Sequence, residues 1–264
     1  MAQKRAKPTV FSGVANTQRP TMAEPTPDAT SDPAQPFRPT LRPPMAIIEL
    51  LDDCSDRGES HRVRTDAVTI GRSNADIIVP HDSQVSGLHV QISRRFERGA
   101  YQWFLKDLSS TNGTFVKIQK ATLVPGVPFM IGSFRYVFRP VGAAEPSSVS
   151  DDQSVGTQGW QAINPEELTR LSAAIVRLNH DGSESAFPLL SEDLMIGTDP
   201  SCGLNIADDP AVSAVHARIR EIEAGRVLED QKSRNGIWIG ISERRIGKSV
   251  AFQIGEQRIR FKVI

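Results

Sequence analysis

Two stretches of this chain repeat one another, and that repeat limits the fold more than any other feature. The first reads IGRSNADIIVPHDSQVSGLHVQI from Ile70 and the second IGTDPSCGLNIADDPAVSAVHARI from Ile196. Gly71 precedes His89 by 18 positions, and Gly197 precedes His216 by 19. Further on, LKDLSSTNGTFV answers to LEDQKSRNGIWI, and MIGSFRYVF to QIGEQRIRF. One order of Gly, Ser-x-x-His, Asp-x4-Asn-Gly and Ile-Gly at nearly one spacing marks a tandem duplication of a unit of roughly 95 residues. Inside the first unit, AIIELL, AVTI, DIIV, LHVQIS, YQWFLKDL, TFVKI, VPFMI and FRYVFR are short apolar or alternating runs. Gly, Pro, Asn, Asp and Ser punctuate them, and no 3.6-residue period interrupts the series. That pattern predicts an all-β fold with one sandwich per unit.

Composition divides what remains. Residues 1–45 hold nine of the 18 prolines and are rich in Thr, Ser and Ala. Such a stretch buries too little apolar surface to offset the entropy of ordering, so it reads as a disordered tail. The hydrophobic content of 39% agrees, since it falls below the roughly 45–50% of globular chains. The expected organisation is tail 1–45, first sandwich 46–140, linker 141–171 and second sandwich 172–264. Within the linker, Asn164-Pro165-Glu166-Glu167 predicts a short helix to about Leu171, with a cap residue ahead of Pro.

Charge and cysteine use narrow the function. Lys plus Arg equals Asp plus Glu at 31 each, which argues against nucleic acid or an anionic membrane as the main partner. The start has a basic run with no apolar segment behind it, and no 18-residue apolar run exists. Cys54 and Cys202 cannot make a disulfide framework. A soluble, cytoplasmic protein without membrane insertion is expected.

Gly71-Arg72, Ser86-x-x-His89 and Ser110-Thr111-Asn112-Gly113-Thr114 resemble the forkhead-associated (FHA) domain, strongly over 46–140 and more weakly over 172–264. The resemblance implies a β-sandwich that binds phosphothreonine peptides through loops at one end. It implies Arg72, Ser86, Thr111 and Asn112 as the phosphothreonine-binding residues, with Gly71, His89 and Gly113 supporting the loops. The residue chemistry suits those roles. A phosphothreonine brings about −1.5 to −2 charges and three acceptor oxygens. A forked guanidinium and two hydroxyls can answer those, and a carboxamide can clamp peptide backbone. In the second unit Thr198 stands where Arg72 does, and Arg234 where Thr111 does. That unit reads as a degenerate copy used for packing or protein contact, with a weak second site on Ser213, Arg234 and Asn235 left open.

No enzyme motif appears: there is no G-x-S-x-G, Walker A, H-E-x-x-H or G-x-G-x-x-G. Ser86, His89 and Asp107 do not have triad spacing with an oxyanion hole. The acidic turn of Asp52, Asp53, Cys54, Asp56 and His61 matches no metal loop, so neither metal nor cofactor is expected. The sequence therefore points to a non-catalytic phosphothreonine adaptor in Ser/Thr kinase signalling. Its partners would be a phosphothreonine-containing protein and a Ser/Thr protein kinase. The tail threonines, Thr21 first among them, offer phosphosites close to the first pocket. A phospho-independent scaffold and a DNA-binding regulator are the alternatives; zero net charge and the lack of a helix-turn-helix pattern weigh against the latter.

Overall fold

The computed structural model describes residues 46–52, 55, 57–142, 172–179 and 181–264. The predicted tail with Thr21, the predicted helix, and the linker beyond Gly142 lie outside the described residues. Among the described residues there are twenty strands and no helix, as the alternating pattern predicts. No helix there is long and apolar enough to cross a membrane.

A ten-stranded sheet runs through the compact unit that holds all the described residues. At its centre, β7 (Thr114–Ile118) pairs antiparallel with β17 (Ile237–Ile241). Outward from β7 come β19 (Ser249–Ile254), β20 (Gln257–Val263), β1 (Ala46–Leu51) and β2 (Gly58–Val63). Outward from β17 come β9 (Pro128–Ile131), β10 (Phe134–Arg139), β11 (Ala174–Leu178) and β12 (Glu184–Pro188). Two five-stranded sheets complete two sandwiches. One holds β3 (Ala67–Gly71), β4 (Ile77–Ile78), β5 (Val90–Glu97), β6 (Ala100–Asp107) and β18 (Glu243–Ile246). The other holds β13 (Asp193–Gly197), β14 (Leu204–Asn205), β15 (Ala217–Ile222), β16 (Gly225–Asp230) and β8 (Lys120–Thr122).

The predicted spans 46–140 and 172–264 do not coincide with these sandwiches. Each repeat gives its last strands to the other. The first core packs Ile48, Ile70, Ile92 and Leu105 against Phe252, Ile254, Ile259 and Phe261. The second packs Ile175, Ile196, Ile219 and Leu228 against Phe129, Ile131 and Tyr136. β7 feeds both, with Val116 in the first core and Ile118 in the second. The cause is local. A strand doubles back through turn residues that accept a positive φ or a fixed one. Thr114–Leu123 contains no Gly, Pro, Asn or Asp. In the matching span of the second repeat only Gly240 qualifies; its φ is not positive, and its backbone lies against Pro128. Each strand therefore runs straight on into the neighbouring sandwich.

A carboxylate, buried at Asp209 and half-buried at Asp82, locks each exchanged hairpin. Asp209, 2% exposed, accepts the Ser133 N–H at 2.6 Å, the Ser133 hydroxyl at 3.2 Å and the Ala211 N–H at 2.8 Å. Asp82 accepts the Glu256 N–H at 2.6 Å and the Gln257 N–H at 3.2 Å. The turns carry Gly132 and Gly255 at positive φ, where an added Cβ would overlap the Asp209 and Asp82 carboxylates. Each acid thus caps the hairpin of the opposite repeat.

Candidate functional site

Three loops meet at one end of the first sandwich. β3 stops at Gly71, where an added Cβ would overlap the Gly87 carbonyl. Only glycine lets the strand end come this close to the 84–89 loop. The next residue, Arg72, gives its backbone N–H to the Ser86 carbonyl at 2.9 Å. Its side chain is exposed and has no ion pair or side-chain hydrogen bond among the described residues. The Ser86 hydroxyl oxygen accepts the Thr111 N–H at 3.1 Å, which leaves the hydroxyl proton free to donate. Thr111 is exposed, and its own hydroxyl has no partner among the described residues. Asn112 gives one amide N–H to the Gln84 carbonyl at 2.9 Å, leaving its amide oxygen and second N–H. Hydrogen bonds thus tie the loops of Arg72, Ser86, Thr111 and Asn112 to one another.

His89 sits beneath these loops, fully buried. Its Nδ1 accepts the Ser86 N–H at 3.0 Å, so the ring proton is assigned to Nε2, which donates to the Gly113 carbonyl at 3.2 Å. Burial holds its pKa below the usual value, against the opposing pull of the Gly113 hydrogen bond and of Asp107. Both ring nitrogens serve backbone. The Asp107 carboxylate is taken by the Ser110 N–H and hydroxyl and by the Thr114 hydroxyl. Ser86, His89 and Asp107 therefore form a loop brace rather than a proton relay.

The second sandwich repeats the serine and histidine bonds of that brace, but Ile237 stands where Thr114 does, so among the described residues Asp230 takes only the Ser233 N–H and hydroxyl. Ser213 N–H donates to His216 Nδ1 at 3.0 Å, His216 Nε2 donates to the Gly236 carbonyl at 3.1 Å, and the Arg234 N–H reaches the Ser213 hydroxyl at 3.1 Å. Asn235 gives an amide N–H to the Ala211 carbonyl at 2.8 Å, as Asn112 does to Gln84. What differs is the cation. Thr198 replaces Arg72, while Arg234 puts an exposed guanidinium on the asparagine loop.

The sequence did not single out Lys117, Asp82, Asp209, Arg135 or Arg258. The last four stand at or opposite the repeated Ile-Gly pairs, Ile131-Gly132 and Ile254-Gly255, so the repeat carried their signal. Lys117 had none: its place beside the second loop, where it blocks a Cβ at Gly236, follows from the exchange alone.

Each sandwich thus gathers its loops at strand ends over a buried histidine whose two ring nitrogens both serve backbone. The FHA domain family matches residues 68–132 and 194–261, just over half of the chain. The chain belongs to the FHA domain family, whose domains are phosphothreonine-binding modules. It is 36% identical over 77 residues to the FHA domain-containing protein FhaB of Mycobacterium tuberculosis, covering 28% of this chain and 47% of FhaB. The chain thus spans about half the length of that curated relative. Among solved structures, full-length yeast Pml1p is 26% identical with a TM-score of 0.25, over 28% of this chain and 57% of that one. The FHA-1 domain of Mycobacterium tuberculosis Rv1747 is 26% identical with a TM-score of 0.20, over 33% and 92%.

Proposed function

We propose that this protein reads phosphothreonine peptides without chemistry of its own, as an adaptor in Ser/Thr kinase signalling in the cytoplasm. The observation that carries the reading is Arg72, whose guanidinium has no ion pair among the described residues and whose backbone is tied through Ser86 to the loop of Thr111 and Asn112. A cation without a partner among the described residues, on loops that also carry two hydroxyls with protons to give, suits a dianionic phosphate. A hydrogen bond to a charged group contributes roughly 1.5–3 kcal/mol, so Arg72→Ala should weaken a phosphothreonine peptide by about tenfold or more. Calorimetric titration of one peptide, phosphorylated and plain, against wild type and Arg72→Ala checks this. Equal binding of the two peptides by wild type would turn the reading towards a phospho-independent scaffold.

The threonine-rich tail extends the reading. A phosphothreonine at Thr21 would be tethered to the first pocket at a high effective concentration, on the order of millimolar. It would occupy the pocket in cis or join two molecules in trans. Kinase-treated full-length protein should then bind a test phosphopeptide more weakly than a tail-deleted protein; equal binding ends the cis-occupancy idea.

A further inference from the structure

Both recognition loops open onto one groove. Gln84 and Asn112 from the first loop set, and Arg234 and Asn235 from the second, line the same cavity of about 1320 Å³. Its floor is the outer face of the ten-stranded sheet. Alternation puts Val116, Phe129 and Phe252 towards the cores, so Phe115, Met130 and Trp238 form their own cluster on the outer side. Three cations lie over those rings: Arg135 at 5.2 Å from Phe115, Arg258 at 5.6 Å and Lys117 at 5.8 Å from Trp238. Neither these three nor Arg234 makes an ion pair among the described residues.

The carboxylates of the groove are placed unevenly. Asp52 follows β1 of the first sandwich, and Glu256 accepts from the Gln84 side chain at 3.0 Å, so both belong to the first end. At the second end the repeat counterpart of Glu256 is Ser133. There the Ser213 hydroxyl accepts the Arg234 backbone N–H, the exposed Arg234 lines the groove, and the Lys117 side chain lies against Gly236 of a loop braced like the first. Position 198 carries Thr, and the positive charge at this end comes from Arg234 and from a lysine that the exchange brings from the other repeat.

We propose that the groove carries the continuation of the peptide held at Arg72, and that the second loop binds a second phosphoresidue on it through Arg234, Lys117 and Ser213. The ligand class is a doubly phosphorylated, extended segment, and this inference rests on the first site reading phosphothreonine. The spacing follows from the ladder. Thr114 pairs with Ile241 and Ile118 with Ile237, and each asparagine stands just ahead of its strand. At about 3.3 Å per residue the two asparagines lie roughly 20–27 Å apart, which extended peptide covers in about six to eight residues.

The test uses the full chain and synthetic peptides with one phosphothreonine and a second phosphoresidue about four, eight or twelve positions away, on either side. Wild type should bind one of the peptides with about eight-position spacing at least about tenfold more tightly than the singly phosphorylated one, by linkage of two sites. The Lys117→Ala/Arg234→Ala variant should bring that ratio close to one. Both side chains are exposed, so the fold survives their loss. Arg72→Ala should weaken both peptides. A ratio near one in wild type at every spacing overturns the inference while Arg72-dependent binding keeps the first site. A gain that ignores spacing, or one that survives in the double variant, also overturns it. Failure of the singly phosphorylated peptide to bind at all overturns the reading of the first site instead.

Discussion

At the scale of single residues the site divides into groups that wait for a ligand and groups already spent on the protein. The side chains of Arg72 and Thr111 make no hydrogen bond among the described residues, whereas His89 and Asp107 are fully engaged by neighbouring backbone and hydroxyls. The histidine brace has a consequence for stability. Burial holds His89 and His216 below their ordinary pKa of 6.5. Near and below that value the unfolded chain binds protons that the folded chain refuses, so stability rises with pH there. It is full above about pH 6.5 and declines as the pH falls towards the depressed folded values. Glu229 has the same sign but a lower window: hydrogen bonds from Arg220 and Lys120 hold it at about 2, so its part is lost only below its ordinary 4.5. The thermal midpoint of the peptide-free protein should therefore drop between pH 6.5 and 5, a range that belongs to the two imidazoles. A flat midpoint there would refute the assignment of neutral, buried rings. The residue types of both loop sets, Ser-x-x-His and Asn-Gly included, were legible in the sequence because each has a fixed local geometry to serve.

Elements were legible in kind and misread in partnership. Alternation identified TFVKI, FRYVFR and their relatives as strands, because a half-buried pleat needs every second side chain apolar. It cannot say which sheet receives them, since exchanged and unexchanged hairpins bury the same faces. The sequence clue lay in what was missing, a turn between β7 and β8. The Asp82 and Asp209 caps were equally ambiguous. Each acid is suited to an Ile-Gly turn of either repeat, and only the straight run of β7 and β17 decides which turn arrives. Lys117 is the functional cost of that ambiguity. It reads as a solvated charge in its own repeat, but the exchange sets it against Gly236 of the other.

For the whole molecule, exchange makes each sandwich dependent on both halves of the chain. Phe252, Ile254, Ile259 and Phe261 are fully buried in the first core. At roughly 1.5–3 kcal/mol each, their burial is worth about as much as the net stability of a typical domain, roughly 5–15 kcal/mol. A fragment of residues 46–142 loses those four side chains and also the sandwich that receives its own Phe129, Ile131 and Tyr136. Closing on itself would demand a turn that Thr114–Leu123 does not encode. Two such fragments can instead trade β9–β10 hairpins, with Asp82 of one capping the Gly132 turn of the other, and so restore both cores. The fragment should therefore sediment as a dimer, and an equimolar mixture with residues 172–264 should yield a heterodimer of the mass of the joined pair. Analytical ultracentrifugation separates monomer from dimer, and native mass spectrometry tells the heterodimer from the two homodimers. A folded, monomeric 46–142 fragment would mean that the strand can double back after all, and that the connection between repeats, rather than the missing turn, enforces the exchange.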